Sequence, residues 1–562
     1  MIRAHGRDRD SVGLFLIFAC LLGAACSGDP NDPRTWAKKL GDLREQDEAL
    51  DRIAKMDVEK ARVVVPELIA FYNQNRSAES LQALARFRDE RTKPAMIEAL
   101  EYTDEEFDRA VIAAGVLGEM KATDAVDKLI AAADKQLPIK SRANAARLAA
   151  IRALVKIGDK KAVPTLTKIV TSSADEQDFL LNQRAALGLA ELRDPSTVQA
   201  LLKGLFMTGR GTDIFSECRL GLVRIGQPSI DPLIELFQEK NTEIREMAKE
   251  QQFRPGIVVH KAAYLLGDLR AEKAVPHLIA GLTKPRRGED FNEHATMAIS
   301  LGQIGTREAV DALMAIVRNP KADVGLRASA ADALYMSGDK RAVPVLLEVA
   351  QSGYVVVGGQ KASDLRANAA IDLSRIAGPE TLPAFKALAD KETEVQGVFG
   401  EAMDRLQVAK ACEGNLACFG KTLSDPSPAR AEKAAFAIGF SGDKAGIPLL
   451  LGALKPLTAL PQHRYSVHQA ILFALVWLGD KTCKPCVEKL SEQIERDENA
   501  VRLPGARGLL AETRVALAII QTTEPGVRIA SQRTVSATAT TPSASKRTPP
   551  RKGARNRSTK RR

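Results

Sequence analysis

Ile157-Gly158-Asp159-Lys160-Lys161-Ala162-Val163-Pro164-Thr165-Leu166 decides how the chain folds, because it returns. It reappears as Met336-Ser337-Gly338-Asp339-Lys340-Arg341-Ala342-Val343-Pro344-Val345-Leu346 and as Phe440-Ser441-Gly442-Asp443-Lys444-Ala445-Gly446-Ile447-Pro448-Leu449-Leu450. A further copy surrounds Leu478-Gly479-Asp480-Lys481. Self-similarity with its punctuation intact marks a repeat architecture. Each copy reads as a turn between two helices. An apolar run ends at a glycine able to take the left-handed conformation that closes a helix. The aspartate accepts bonds from the free amides opening the next helix. The proline suits that helix's first turn, where a missing N–H costs nothing.

Aligned on the proline, anchors fall at Pro66, Pro94, Asp127, Pro164, Gln199, Pro232, Pro276, Asp311, Pro344, Pro383, Ala417, Pro448 and Pro485. The mean period between the first and the last is about 35 residues. Six residues before the anchor, glycine recurs at 226, 305, 338, 442 and 479, while Arg88, Lys121, Arg193 and Arg270 replace it elsewhere. The first helices are rich in small residues, as in Arg327–Met336 and Arg366–Ile376, which permits close helix approach. Arg147, Arg327 and Arg366 sit near helix starts. They read as partners for the aspartate after each turn, with a basic binding stripe as the alternative.

This period and pattern resemble HEAT repeats, especially the short bacterial kind also found in phycobilin-lyase-like proteins, from about Trp36 to Glu524. The resemblance implies an all-α fold, an α-solenoid of about 13 two-helix repeats with one continuous core. Armadillo units are longer and three-helical, and tetratricopeptide repeats need an aromatic signature that a chain with 4% aromatic residues lacks.

Residues 1–25 read as a signal peptide, with Arg3, Arg7 and Arg9 before an apolar run too short to span a bilayer comfortably. Leu22-Gly23-Ala24-Ala25-Cys26 resembles a bacterial lipobox, although Gly23 stands where that family usually has Leu. The resemblance implies lipidation of Cys26, and Ser27 after it favours the outer membrane. Plain cleavage after Ala25, leaving a free periplasmic protein, is the alternative. Residues 26–35 are then a tether, 36–525 the solenoid and 526–562 a disordered tail. From 525 onward there are eleven basic residues and no acid, which equals the net charge of the whole chain, +11. The tail cluster is Arg547, Arg551, Lys552, Arg555, Arg557, Lys560, Arg561 and Arg562. Such a tail binds polyanions by counterion release. In an envelope these are anionic polymers or lipid headgroups, and nucleic acid only in a cytoplasmic protein.

Four cysteines form two local pairs, Cys412 with Cys418 and Cys483 with Cys486, which in an exported protein read as short disulfides. A zinc site joining all four is disfavoured, because the pairs lie two anchors apart. Cys483-Lys-Pro-Cys486 also resembles a thioredoxin-type motif but lacks a βαβ setting. Cys218, in an apolar stretch, reads as a small buried side chain. No metal, cofactor or catalytic residues are assigned, since HExxH, phosphate loops and nucleophile–base pairs are not found.

Long connections leave several second helices, at 207–215, 239–256, 283–292, 352–364 and 455–465. In a solenoid they share one edge. They carry Arg210, Arg254, Arg286, Arg287, Tyr354, Arg464 and Tyr465, residue types favoured at interfaces. Residues 506–521 look like a terminal cap. The reading is a non-enzymatic scaffold or adaptor for another envelope protein, lipid-anchored on the periplasmic side of the outer membrane or periplasmic. A lyase-like HEAT enzyme and a polyanion or nucleic-acid binder are the alternatives. Cys26→Ser is expected to turn a membrane-associated protein into an unprocessed or mislocalised one, checked by fractionation and mass spectrometry of the mature N-terminus.

Overall fold

The structure, a computed structural model, describes residues 29–136, 140–173, 177–209, 211–284, 293–351, 356–357, 360–361, 365–393, 395–498, 503 and 505–525. Among them, helices run in pairs from Pro33–Lys39 to Ala506–Thr522. Strand is confined to two short hairpins, Thr208–Gly209 with Thr212–Asp213 and Val356–Val357 with Gln360–Lys361. The chain is an all-α solenoid, and both hairpins lie in connections that leave a second helix.

At the recurring turn, backbone conformation follows the sequence closely. Gly158 closes its helix at φ 78°, and Gly226, Gly305, Gly338 and Gly442 also lie at positive φ. Arg88, Lys121, Arg193 and Arg270 take the same conformation at φ between 45° and 51°, at a cost of roughly 1–2 kcal/mol each. The Asp159 carboxylate accepts from the N–H two residues on, as do those of Asp89, Asp194, Asp339, Asp443 and Asp480. A single 3₁₀ turn, Lys160–Ala162, then leads into Val163–Thr171, with Pro164 its second residue. Two copies depart. Gly479 is extended at φ −82°; a Cβ there would stand 3.2 Å from Ile520, so this glycine supplies space rather than handedness. Asp311 is the fifth residue of Arg307–Arg318, which opens directly on the Thr306 cap.

The first helices stack on one another to form the inner layer. Contact is closest where the residue three before one turn position meets the residue five before the next. A Cβ on Gly118 would stand 2.9 Å from the Ala153 Cα, one on Gly267 2.9 Å from the Ser300 Cα, and one on Gly439 2.9 Å from the Ala474 Cα. On Gly302 it would lie 2.8 Å from the Ala333 Cα. Where the first member of the pair is larger, the glycine moves to the second. Val155 lies over Gly188, and Ala190 over Gly221. Backbone therefore touches backbone, or nearly so, at these crossings.

The arginine ladder does something other than expected. Arg147 donates to the Ala133 carbonyl (2.8 Å), Lys261 to that of Leu205 (2.5 Å), Arg327 to that of Val317 (3.0 Å) and Asn182 to that of Val170 (3.0 Å). Arg147, Asn182 and Arg327 reach back from a first helix to carbonyls at the end of the preceding second helix, and Lys261 to one at the end of Val198–Gly204, one repeat further back, where the helix itself supplies no partner. Positive charge there also meets the negative end of that helix. The aspartates after the turns are committed elsewhere, to capping and to the basic residue of the preceding turn. Examples are Asp89 with Arg62 (3.2 Å), Asp194 with Lys160 (3.2 Å) and Asp480 with Lys444 (2.5 Å). Arg366 pairs with Glu392. The connection at 239–256 contains a helix, Thr242–Glu250, capped by Asn241 and buried through Ile244 and Ala248. Its single amphipathic turn pattern is too short to stand out in a sequence.

Gly302→Val is expected to cost about 3 kcal/mol or more in denaturant unfolding, because the added atoms meet backbone that cannot rotate away. Gly115→Ala in helix Phe107–Glu119, where an added Cβ meets nothing within 4 Å, should stabilise by up to about 1 kcal/mol.

Candidate functional site

Distant parts of the chain meet on the inner face. The helix Ala506–Thr522 follows Lys484–Asp497 and stands beside Tyr465–Leu478, where another first helix would stand. Its other side lies against Phe215–Ile225. Val515 and Ala518 are buried there with Ala190, Leu220 and Val223. Arg193 donates to Gln521 at 2.7 Å, and the Lys481 N–H donates to the Thr523 carbonyl at 3.0 Å. The expected cap is present, but it also ties the end of the array to its middle.

Arg219 is the polar centre of this closure. Its side chain is 6% exposed, in a helix that is otherwise largely apolar. Nε and Nη2 donate to Asp268 at 2.7 and 3.1 Å, and Nη1 and Nη2 to Glu512 of the C-terminal helix at 2.7 and 3.2 Å. The guanidinium lies 4.7 Å from the centre of the Tyr264 ring. Burial works against its charge, but the Asp268 and Glu512 carboxylates outweigh that and hold it charged.

Next to this cluster is a cavity of about 200 Å³. Arg219, Asp268, Arg270 and Gln303 form one wall; Leu472, Phe473 and Val476 form the other, and Val515 and Ile519 of the C-terminal helix close it. Arg270 projects from its left-handed turn position, with its guanidinium 5.2 Å from the centre of the Trp477 ring. Burial pushes that guanidinium down to about 9, partly offset by Asp268, which leaves it charged at neutral pH. The Gln303 Oε1 is buried without a donor. Beyond the cavity the inner face is filled by aromatic rings. Phe436 contacts Tyr335 and Phe473, both at 5.5 Å between ring centres, and Phe440 contacts Trp477 at 5.6 Å.

Cys412 is bonded to Cys418 and Cys483 to Cys486, with Cα separations of 5.4 and 5.3 Å. The backbone break that brings the first pair together is the left-handed pair Glu413 and Gly414. Cys218 is a free, buried thiol, pushed well up by burial. Among the described residues no group of three His, Cys, Asp or Glu side chains is placed to hold a metal. Arg254 is exposed in the turn before Ile257–Asp268. Arg464 is not a free anchor, since it donates to the Asp425 and Leu423 carbonyls at 2.5 and 3.0 Å. Tyr465 is half-buried, with its ring edge against Gly505. Cys26, Arg210, Arg286, Arg287, Tyr354 and the tail residues from Arg547 to Arg562 lie outside the described residues. Arg219, Asp268, Arg270 and Glu512 carried no sequence motif. The available signal was an arginine inside an apolar helix.

HEAT repeats match over residues 135–206 and 286–358. The class of the protein is thus an all-α solenoid of helix pairs in which HEAT repeats are found at those two stretches. Among solved structures, the chain is similar to the complex of CpcE and CpcF of phycocyanin lyase from Nostoc sp. PCC7120. That likeness has 24% identity over 51% of this chain and 95% of that one, with a TM-score of 0.23. It is also similar to Kap121p bound to Nup53p, at 10% identity over 91% of this chain and 62% of that one (TM-score 0.44). A third likeness is to importin beta, at 12% identity, 94% and 88% coverage and a TM-score of 0.26. None of the curated proteins matches the chain in sequence.

The helix that forms the far wall of the cavity also carries His468, 2% exposed, with its Nε2 unpartnered. Burial pushes this imidazole down to about 4. The unfolded chain, with an ordinary histidine near 6.5, therefore takes up a proton first on acidification. The stability tied to the neutral ring is complete above about pH 6.5 and falls by roughly 3 kcal/mol as pH drops to 4. Urea unfolding between about pH 7 and pH 4.5 is expected to show that loss, and His468→Gln to flatten it.

Proposed function

We propose that the chain is a non-enzymatic scaffold that holds another protein of the bacterial cell envelope, anchored by a lipid on Cys26. The observation that carries this reading is how the two sides of the solenoid are used. The inner face is taken up by the chain's own C-terminal helix and by packed aromatic rings, so a large partner has the outer surface and the loop edge. The hairpins at Thr208–Asp213 and Val356–Lys361 and the helix Thr242–Glu250 all extend connections that leave second helices, and so project from that edge. Repeat scaffolds with rigid loops offer fixed anchors of this kind. The two disulfides support an oxidising compartment. The HEAT fold is compatible with protein binding, and the basic tail adds diffuse attraction for anionic polymer or headgroups.

The two devices separate in experiment. Replacing Arg286 and Arg287 by Ala, or Tyr354 by Ala, should weaken capture of the envelope partner in pull-downs and leave binding to an anionic polymer intact. Truncation at Gly526 should do the reverse, and the polymer binding it removes should fall steeply with added salt. If truncation abolishes both interactions while the loop variants change neither, the solenoid is a spacer for the tail and the scaffold reading fails.

A further inference from the structure

The cavity under the C-terminal helix has a chemistry of its own, independent of any partner at the loop edge. Two arginines reach it, and they differ. Arg219 is saturated, with two carboxylates taking its donors. Arg270 has the face of Trp477 and, among the described residues, no hydrogen-bond acceptor. The Arg270 side chain is half-buried at the border of this space, and its planar fork of donors matches a carboxylate. Gln303 borders the same space with an unsatisfied carbonyl oxygen; a half-turn of its amide would offer N–H to an incoming anion. The opposite wall, Leu472, Phe473 and Val476 with Ile519, is hydrocarbon. One charged fork, one amide and an apolar wall around a partly open cleft are the elements of a small-molecule site.

We propose that this cavity binds a small carboxylate with an apolar body, its carboxylate on Arg270 and its body between Phe473 and the C-terminal helix. Size limits the occupant. A cavity on the order of 150 Å³ takes a benzene ring, so the 200 Å³ here admits an aryl or branched-chain acid and excludes long acyl chains. Asp268 and Glu512, the two carboxylates on the wall, both accept from Arg219, and with Arg270 the four side chains balance in charge, so the donors of Arg270 are the ones left for an occupant. Because Val515, Ala516 and Ile519 close the site, an occupant also fastens the C-terminal helix to the array. Binding should therefore stabilise the whole closure.

The test uses the purified protein with Trp36→Phe, which leaves Trp477 as the single fluorophore of the two tryptophans. The probes are phenylacetate and 4-methylpentanoate, each against its primary amide. Both acids are expected to perturb Trp477 emission saturably and to raise the melting temperature, while the amides do neither. Arg270→Asn keeps a residue tolerant of the left-handed turn and removes the fork; it should weaken acid binding by at least about tenfold. Ala516→Leu fills the cavity from the C-terminal helix without touching Arg270, and should abolish binding while the protein melts at or above the wild-type temperature. The proposal is overturned if neither acid binds the wild-type cavity, if the amides bind equally, or if both variants keep full affinity.

Discussion

Successive first helices approach until backbone nearly meets backbone, and the rest of the structure depends on that distance. Glycine on at least one side of the crossing lets Gly118 sit on Ala153, Gly302 on Ala333 and Gly439 on Ala474. Dispersion contacts between such surfaces are individually small and numerous, and they are lost together when a side chain forces the helices apart. Inner helices held this close, beside bulkier second helices outside, make the layer curve. The curvature brings the array around until Tyr335 meets Phe436 and Arg270 meets Trp477.

Curvature alone would leave an open channel, and the C-terminal helix takes that space. Its apolar side extends the core, while Glu512 completes the coordination of a buried arginine. Removing one partner of such a group leaves an uncompensated charge, which typically costs about 3–5 kcal/mol. The closure is consequently specific in register, because only one placement of the helix presents Glu512 to Arg219 and Val515 to Leu220 at once. Fit is looser around Arg270, and the cavity lies there. Basic residues of the first helices, Arg147, Lys261 and Arg327, donate to carbonyls at the ends of second helices, so a row of arginines that looks like a binding stripe in the sequence is part of the framework.

The turn was legible from residues alone, down to the four positions where arginine or lysine takes the place of glycine. That conformation is local: it depends on a helix ending, a capping aspartate and a proline a few residues on. The proximity of Cys412 to Cys418 and of Cys483 to Cys486 is local in the same sense. By contrast, the helix within 239–256 did not show, because a nine-residue amphipathic segment in a polar stretch has too little pattern. The same holds for Gly479, whose role is set by Ile520 of a later helix.

The sequence by itself determined the repeat, its turn and the solenoid class, since each of these follows from spacings shorter than one period and recurs often enough to be read. Tertiary structure alone decided what the inner face holds. Arg219 and Glu512 are 293 residues apart, and nothing near either position encodes the other. Their meeting depends on the curvature summed over every crossing between them, a quantity that no single repeat carries.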